Sequence, residues 1–132
     1  MINDLIEEMI IYFPYRGKHL AVVKNINDPD KLRRIRVKCP YVSLKENLLW
    51  ALPCDSHKTN WLPQKGDVVW IEFEGWNPSR PIWTGLAVAK EDVDASFIEN
   101  YNEKYRKDLD YNGNSIEWTE DGYIIKDLNG NT

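Results

Sequence analysis

The residues best suited to chemistry are a basic run, Arg34, Arg36 and Lys38, and five tryptophans, Trp50, Trp61, Trp70, Trp76 and Trp83. Cations two residues apart share one face of a strand, where they could meet phosphates while indoles stack on bases. The same pattern also fits a solvated strand face with tryptophans packed in a core or interface. Glu72 and Glu74 on a neighbouring outer face, and a formal net charge of −4, favour the second reading. Hydrolysis would need a nucleophile with its base, or a held pair of carboxylates. His19 and His57 have no suggestive local partner, and Asp67 alternates to the face opposite Glu72 and Glu74. No catalytic or cofactor-binding residue is assigned. Cys39 and Cys54 form no CxxC and no His/Cys cluster, so no metal site is assigned either. Two reduced, partly buried thiols are the simpler expectation than a bridge.

The elements that must position these residues are clearest in LPQKGDVVWIEFEGWNPSRPIWTG (62–85). Pro63 and Gly66 bracket a turn. From Asp67 to Glu74 the chain alternates, with Val69, Ile71 and Phe73 on one side and Val68, Trp70, Glu72 and Glu74 on the other. The prolines of GWNPSRP force a loop, and Ile82 to Thr84 resume a strand up to Gly85. Upstream, Leu20 to Lys24 reads as a strand, Asn27 to Asp30 as a turn, and Leu32 to Cys39 as a strand with Ile35, Val37 and Cys39 inward. A short extended piece follows at Leu49 to Leu52. Five strands in about 70 residues, with one long mid-chain excursion, match a small Greek-key barrel of the OB type.

With 132 residues, the chain has room for one small domain and appendages. Residues 3–13 pattern as a short amphipathic helix, with Leu5, Ile6, Met9, Ile10 and Phe13 as its stripe and Pro14 as its stop. Asp4, Glu7 and Glu8 interrupt the N-terminus too early for a signal peptide, and no apolar run approaches the roughly 18 residues of a membrane span. A soluble protein made in the cytoplasm is expected. The domain reading is an N-terminal helix or arm over 1–16, the barrel over 17–88, a connector over 89–109 and a repeat region over 110–132. Within the connector, Asp94 is expected to cap a helical stretch through Lys107.

Charge separates the two halves. Residues 1–89 carry 12 Lys and Arg against 10 Asp and Glu, whereas residues 90–132 carry 5 against 11. The acidic end holds a repeat, since Asp110-Tyr-Asn-Gly-Asn-Ser115 recurs seventeen residues later as Asp127-Leu-Asn-Gly-Asn-Thr132. Two short strands, Ser115 to Thr119 and Tyr123 to Lys126, lie between the copies. Turn–strand–turn–strand units that repeat are the footprint of a β-solenoid. One unit cannot bury its own apolar face, so Ile116, Trp118, Tyr123 and Ile125 are expected to need a partner. Self-association therefore fits better than either catalysis or nucleic-acid binding.

The segments LAVVKNINDPDKLRRIRVKCPYV (20–42), WALP (50–53) and 62–85 resemble the OB domain of phage baseplate central-spike proteins. The same domain occurs in baseplate assembly protein V and in VgrG spike proteins of type VI secretion. Pro63, Gly66, Asp67, Val69, Phe73, Pro81 and Gly85 fall on that family's pattern, while Arg33 stands where the family has Gly. The tail from Tyr111 to Thr132 is similar to the family's entry into a triple-stranded β-helix.

The resemblance implies an all-β fold, a five-stranded OB-type barrel with a short N-terminal helix and the start of a triple-stranded β-helix at the C-terminus. It implies a non-enzymatic baseplate hub or central-spike component of a contractile phage tail or related injection machine. Its partners would be two further copies in a homotrimer, a tail hub or tube protein, and a spike-tip protein. Nucleic acid is not an expected partner, and membrane would be met only through the needle. The candidate trimer contacts are Ile116, Trp118, Tyr123 and Ile125, and the candidate contacts to other proteins are Arg34, Arg36, Lys38 and Trp76. No lysozyme-like insertion and no H-x-H iron motif is present, so neither cell-wall hydrolysis nor a metal tip carries over.

Overall fold

A computed structural model of the chain describes residues 13–40, 42, 49–54 and 59–132, in two compact units, Met1–Ala87 and Val88–Thr132. The helix expected over residues 3–13 lies, apart from Phe13, outside the described residues. Phe13–Tyr15 forms a single 3-10 turn.

The first unit is a five-stranded sheet, β1 (His19–Asn25), β2 (Arg36–Lys38), β3 (Leu52–Pro53), β4 (Val68–Phe73) and β5 (Pro81–Leu86), in the order β2-β1-β4-β5-β3. All neighbours are antiparallel except β3 and β5, which run parallel. An antiparallel bridge between Ile35 and Ala51 brings the chain just before β2 against the chain just before β3. The sheet thereby curls shut into the Greek-key circuit of an OB barrel. Its inward residues are apolar on every strand: Ala21 and Val23, Ile35, Val37 and Cys39, Ala51, Val69, Ile71 and Phe73, and Trp83. The alternation expected along 67–74 is present, with Val69 and Ile71 buried and Val68 and Trp70 exposed.

Two expectations need correction here. The strand expected over Leu32 to Cys39 is extended only from Arg36, with Ile35 held by its bridge. The buried Asp28 carboxylate accepts the backbone N–H groups of Asp30, Leu32 and Arg34, and winds residues 28–34 around itself. Local side-chain acceptors of this kind compete with a strand ladder for the same donors. The helix expected from Asp94 through Lys107 is a single short one, α1 (Ala95–Glu99). Asp94 caps it as expected, accepting from the N–H groups of Ser96 and Phe97. It ends because Asn100 caps the other terminus, its backbone N–H and side-chain amide both donating to the Ser96 carbonyl.

The second unit then forms a three-stranded antiparallel meander, β6 (Arg106–Leu109), β7 (Ser115–Thr119) and β8 (Gly122–Lys126). β6 has no apolar alternation of its own, and its pairing with β7 overrides local propensity. Both Asp-x-Asn-Gly-Asn copies fold identically. Asp110 Oδ1 accepts from the N–H groups of Asn112 and Asn114, and Asp127 Oδ1 from those of Asn129 and Asn131. Gly113 and Gly130 take the positive φ, 91° and 81°, that each turn requires. The Asn114 side-chain oxygen also receives the Leu128 N–H at 3.0 Å, which ties the second copy to the first.

Candidate functional site

The basic run is placed on β2 and the loop before it, and of its three cations Arg34 is ion-paired. Arg34 forks onto Asp28, with Nε to Oδ2 at 2.9 Å and Nη2 to Oδ1 at 2.8 Å, and it reaches Asp30 at 2.8 Å. The Arg34 guanidinium, followed by three backbone N–H groups, holds the Asp28 carboxyl far below the usual carboxylate range. Arg36 lies over the Trp50 ring, 4.8 Å from its centroid. Of the five barrel tryptophans, Trp83 is fully buried and Trp61 packs edge-on against it at 5.1 Å. Trp70 and Trp76 alone of these five are exposed. The structure thus brings Arg34, Arg36 and Trp50 together and places Trp76 on the hairpin between β4 and β5.

Arg33, one of three non-glycine residues at positive φ among those described, shows how the barrel accommodates the departure at that position. Its φ is 62°, the left-handed conformation in which glycine meets no steric cost. The side chain offsets the strain. Nε donates to the Trp61 carbonyl at 2.8 Å, the guanidinium lies 5.5 Å from the Trp83 ring centre, and Trp83 Nε1 donates to the Arg33 carbonyl at 3.0 Å. No sequence signal marked this clamp, because its three members are far apart along the chain.

The hairpin tip is closed by its own bonds. Glu74 N–H donates to the Arg80 carbonyl, Arg80 N–H to that of Asn77, and Arg80 Nε meets Glu74 Oε2 at 3.0 Å. Gly75 and Trp76 are both left-handed, at φ 59° and 60°. Trp76 is 43% exposed.

In the second unit, the four apolar residues singled out from the repeat fall on one sheet face. Ile116 pairs with Ile125 and Trp118 with Tyr123 across β7 and β8. Arg106 and Asp108 complete this face from β6, with the Arg106 guanidinium 4.6 Å from the centre of the Trp118 ring. Tyr123 is 67% and Ile125 57% exposed, while Ile116 and Trp118 are half-buried. The opposite face carries an ion network beside two exposed apolar residues, Leu109 and Ile124. Lys107 Nζ meets Asp94 Oδ2 at 3.1 Å, Ser96 Oγ at 2.9 Å and Glu117 Oε1 at 3.8 Å, and Lys126 adds a second cation to Glu117. Tyr105 is buried beside the Phe97 ring. Asp94 sits below its ordinary pKa, first through its hydrogen bond from Ser96 Oγ and then through Lys107.

Of the remaining chemistry-bearing residues, Cys39 is buried and Cys54 exposed, and neither is in a disulfide. His19 lies on β1 with its ring 6.0 Å from that of Phe73. His57 is outside the described residues. Among the described residues, no group of three or more His, Cys, Asp and Glu side chains is arranged to hold a metal ion.

The first unit is a closed five-stranded OB barrel, and comparison with known families places it. The model of the type VI secretion system/phage-baseplate injector OB domain matches residues 19–87, from the first residue of β1 to the last residue of the first compact unit. The chain belongs to this injector baseplate family. No curated protein matches it.

Proposed function

We propose that the chain is a structural component of the baseplate of a contractile phage tail or related injection machine, acting as a homotrimer. Its barrel joins a hub or tube protein to a needle, and its second unit begins that needle as a triple-stranded β-helix. The observation that carries this reading is the polarity of the second unit's sheet. The ion network of Lys107, Asp94 and Glu117 lies on one face, and two aromatic and two aliphatic side chains cluster on the other.

Full burial of a side chain of this size is worth about 1.5–3 kcal/mol, so Tyr123 and Ile125, which are exposed, have most to gain on association, and half-buried Ile116 and Trp118 less. The number three follows from the resemblance of residues 111–132 to the family's triple-stranded β-helix. The work is mechanical and involves no catalytic step or cofactor. Winding copies together pairs strand edges and resists shear. A spike-tip protein would cap the needle, and only the needle would meet membrane.

The nucleic-acid reading loses support because Arg34 is bound to Asp28 and Asp30 and Arg36 to the face of Trp50. Light scattering on the purified protein at micromolar concentration is expected to give the mass of three chains. A one-chain mass would contradict the proposal. Salt-sensitive binding of a labelled single-stranded oligonucleotide would favour the nucleic-acid reading instead.

A further inference from the structure

The two Asp-x-Asn-Gly-Asn turns share their internal bonds and differ in what lies against them. In the first, Asn114 Nδ2 donates to Asp110 Oδ2 at 3.0 Å, which fixes the carboxamide. Its oxygen accepts the Leu128 N–H at 3.0 Å, and a Cβ placed on Gly113 would lie 3.6 Å from that of Leu128. In the second turn, Asn131 Nδ2 donates to Asp127 Oδ2 at 3.2 Å, so this carboxamide is held the same way. A carboxylate only accepts, which settles the amide nitrogen on the carboxylate side of each asparagine and leaves the oxygen for the next donor. Among the described residues, no N–H reaches Asn131 Oδ1, and nothing stands within 4 Å of the corresponding point on Gly130.

The first turn shows what such a surface receives. There, β7 pairs with β6, β8 pairs with β7, and the turn that follows β8 lays the Leu128 N–H on Asn114. β8 is in its turn the outer strand of the sheet, so its edge presents unpaired backbone groups beside the second turn. The edge of β8 with Gly130 and Asn131 repeats the surface of β6 with Gly113 and Asn114, seventeen residues later. We propose that β8 and the second turn are a docking site for a further repeat unit carried by another polypeptide. The partner's strands extend the sheet from β8, and the N–H that follows its turn aspartate donates to Asn131 Oδ1. Strand addition supplies the affinity. The fixed carboxamide supplies the register, because a one-residue slip would carry the partner's donor past it and turn its side chains to the wrong face.

The chemistry of the site selects a polypeptide as the occupant. It offers an acceptor oxygen beside the Asp127 carboxylate, so a phosphate or a nucleic-acid backbone would meet repulsion. A second copy is disfavoured on two grounds. In the reading proposed above, on which this choice of occupant rests, copies meet through the face of Ile116, Trp118, Tyr123 and Ile125 and not through this edge. In a copy's first turn, the residue in the place of Leu128 is Tyr111, which already makes a contact of its own.

The probe is a synthetic peptide of residues 115–132, one full repeat unit, titrated into the isotope-labelled full chain. Saturable NMR shifts are expected at the Gly130 amide and the Asn131 side-chain amide, with slowed amide exchange along β8. Leu128→Pro in the peptide removes the donor and keeps the turn, because Leu128 is the second residue of a turn closed by the Gly130 N–H on the Asp127 carbonyl, a position proline suits. That peptide is expected to bind about 2-fold to 10-fold more weakly, the loss of one hydrogen bond. Asn131→Ala in the protein should weaken the parent peptide to the same extent. Asn129→Ala, in the same turn but with a side chain that makes no hydrogen bond among the described residues, should leave its binding unchanged. Shifts that miss β8 and Asn131, or a Leu128→Pro peptide that binds as tightly as its parent, would overturn the proposal. A wild-type mass that falls on Asn131→Ala would give the site to a second copy and overturn it as well. Light scattering on the same samples separates this proposal from the trimer reading. A three-chain mass with no peptide bound would overturn the proposal alone, and a one-chain mass with peptide bound would overturn the trimer reading alone.

Discussion

The barrel and the three-stranded sheet of the second unit solve the same problem in opposite ways. In the barrel, every strand turns apolar residues inward, and the sheet closes over them, so that Trp83, Ile35 and Ile71 are wholly buried. In the second unit, an ion network occupies one face and the larger apolar group the other. Lys107, Glu117 and Asp94 sit under α1, and Ile116, Trp118, Tyr123 and Ile125 look outward. An exposed apolar patch of this kind is the form a contact surface takes, which is what the proposed association would use.

That contrast is open to attack from the barrel side first. Trp83→Ala removes the largest buried side chain, together with the donor to the Arg33 carbonyl, and is expected to cost about 3–5 kcal/mol. Thermal melting followed by near-UV circular dichroism checks it. If the second unit folds independently, amide exchange at β7 and β8 should be unchanged in the same variant.

On the other side, Lys107→Met leaves Asp94 and Glu117 facing each other without their shared cation. A loss of about 1–3 kcal/mol, confined to the second unit, is expected because Asp94 loses its cation and Glu117 keeps only Lys126. Chemical denaturation with a tryptophan probe at Trp118 would show a separate, earlier transition. A variant as stable as the wild type would mean that the polar face does not hold the unit together.

Acid sharpens the comparison, since both units rest on carboxylates whose pKa is depressed. Asp28 is lowered by Arg34, Asp94 by Ser96, Asp110 by the Asn114 side chain and Asp127 by the Asn131 N–H. A carboxylate with a folded pKa below its unfolded value contributes stability that is present above about pH 3.9 and is lost as pH falls through the folded pKa. Stability at pH 2.5 should therefore fall below that at pH 6 in both units. Asp28→Asn should remove part of that dependence from the barrel alone.

The smallest effect is expected at Arg33. Arg33→Gly relieves the left-handed strain but loses the bond to Trp61 and the stacking on Trp83. The net destabilisation should be under about 1 kcal/mol. Arg33→Ala loses the same contacts without the relief and should be the less stable of the two. The reverse order would mean that the backbone at this position is not strained.

Legibility followed the same division. The barrel strands could be read because inward residues recur at every second position, so β1, β4 and β5 and the inward set Ile35, Val37 and Cys39 stand where alternation puts them. The strand entering β2 was read too long because Asp28 captures N–H groups from residues as many as six positions ahead, which no periodicity encodes. β6 was missed because Arg106, Lys107, Asp108 and Leu109 hold no alternation. Their place is set by Glu117 and Trp118 across the sheet. The four residues of the open face were identified from the repeat, and their cross-strand pairing follows from the tight turn at Glu120 and Asp121. The Arg33–Trp61–Trp83 clamp was out of reach, since it joins positions up to 50 residues apart.

The account stands or falls on whether the open face of the second unit joins copies of the chain. Trp118→Asp tests it most directly, because Arg106 can pair with the new carboxylate and the unit itself need not unfold. Light scattering at micromolar concentration should give a three-chain mass for the wild type and a one-chain mass for the variant, with the barrel melting unchanged. A variant that keeps the wild-type mass would contradict the central claim.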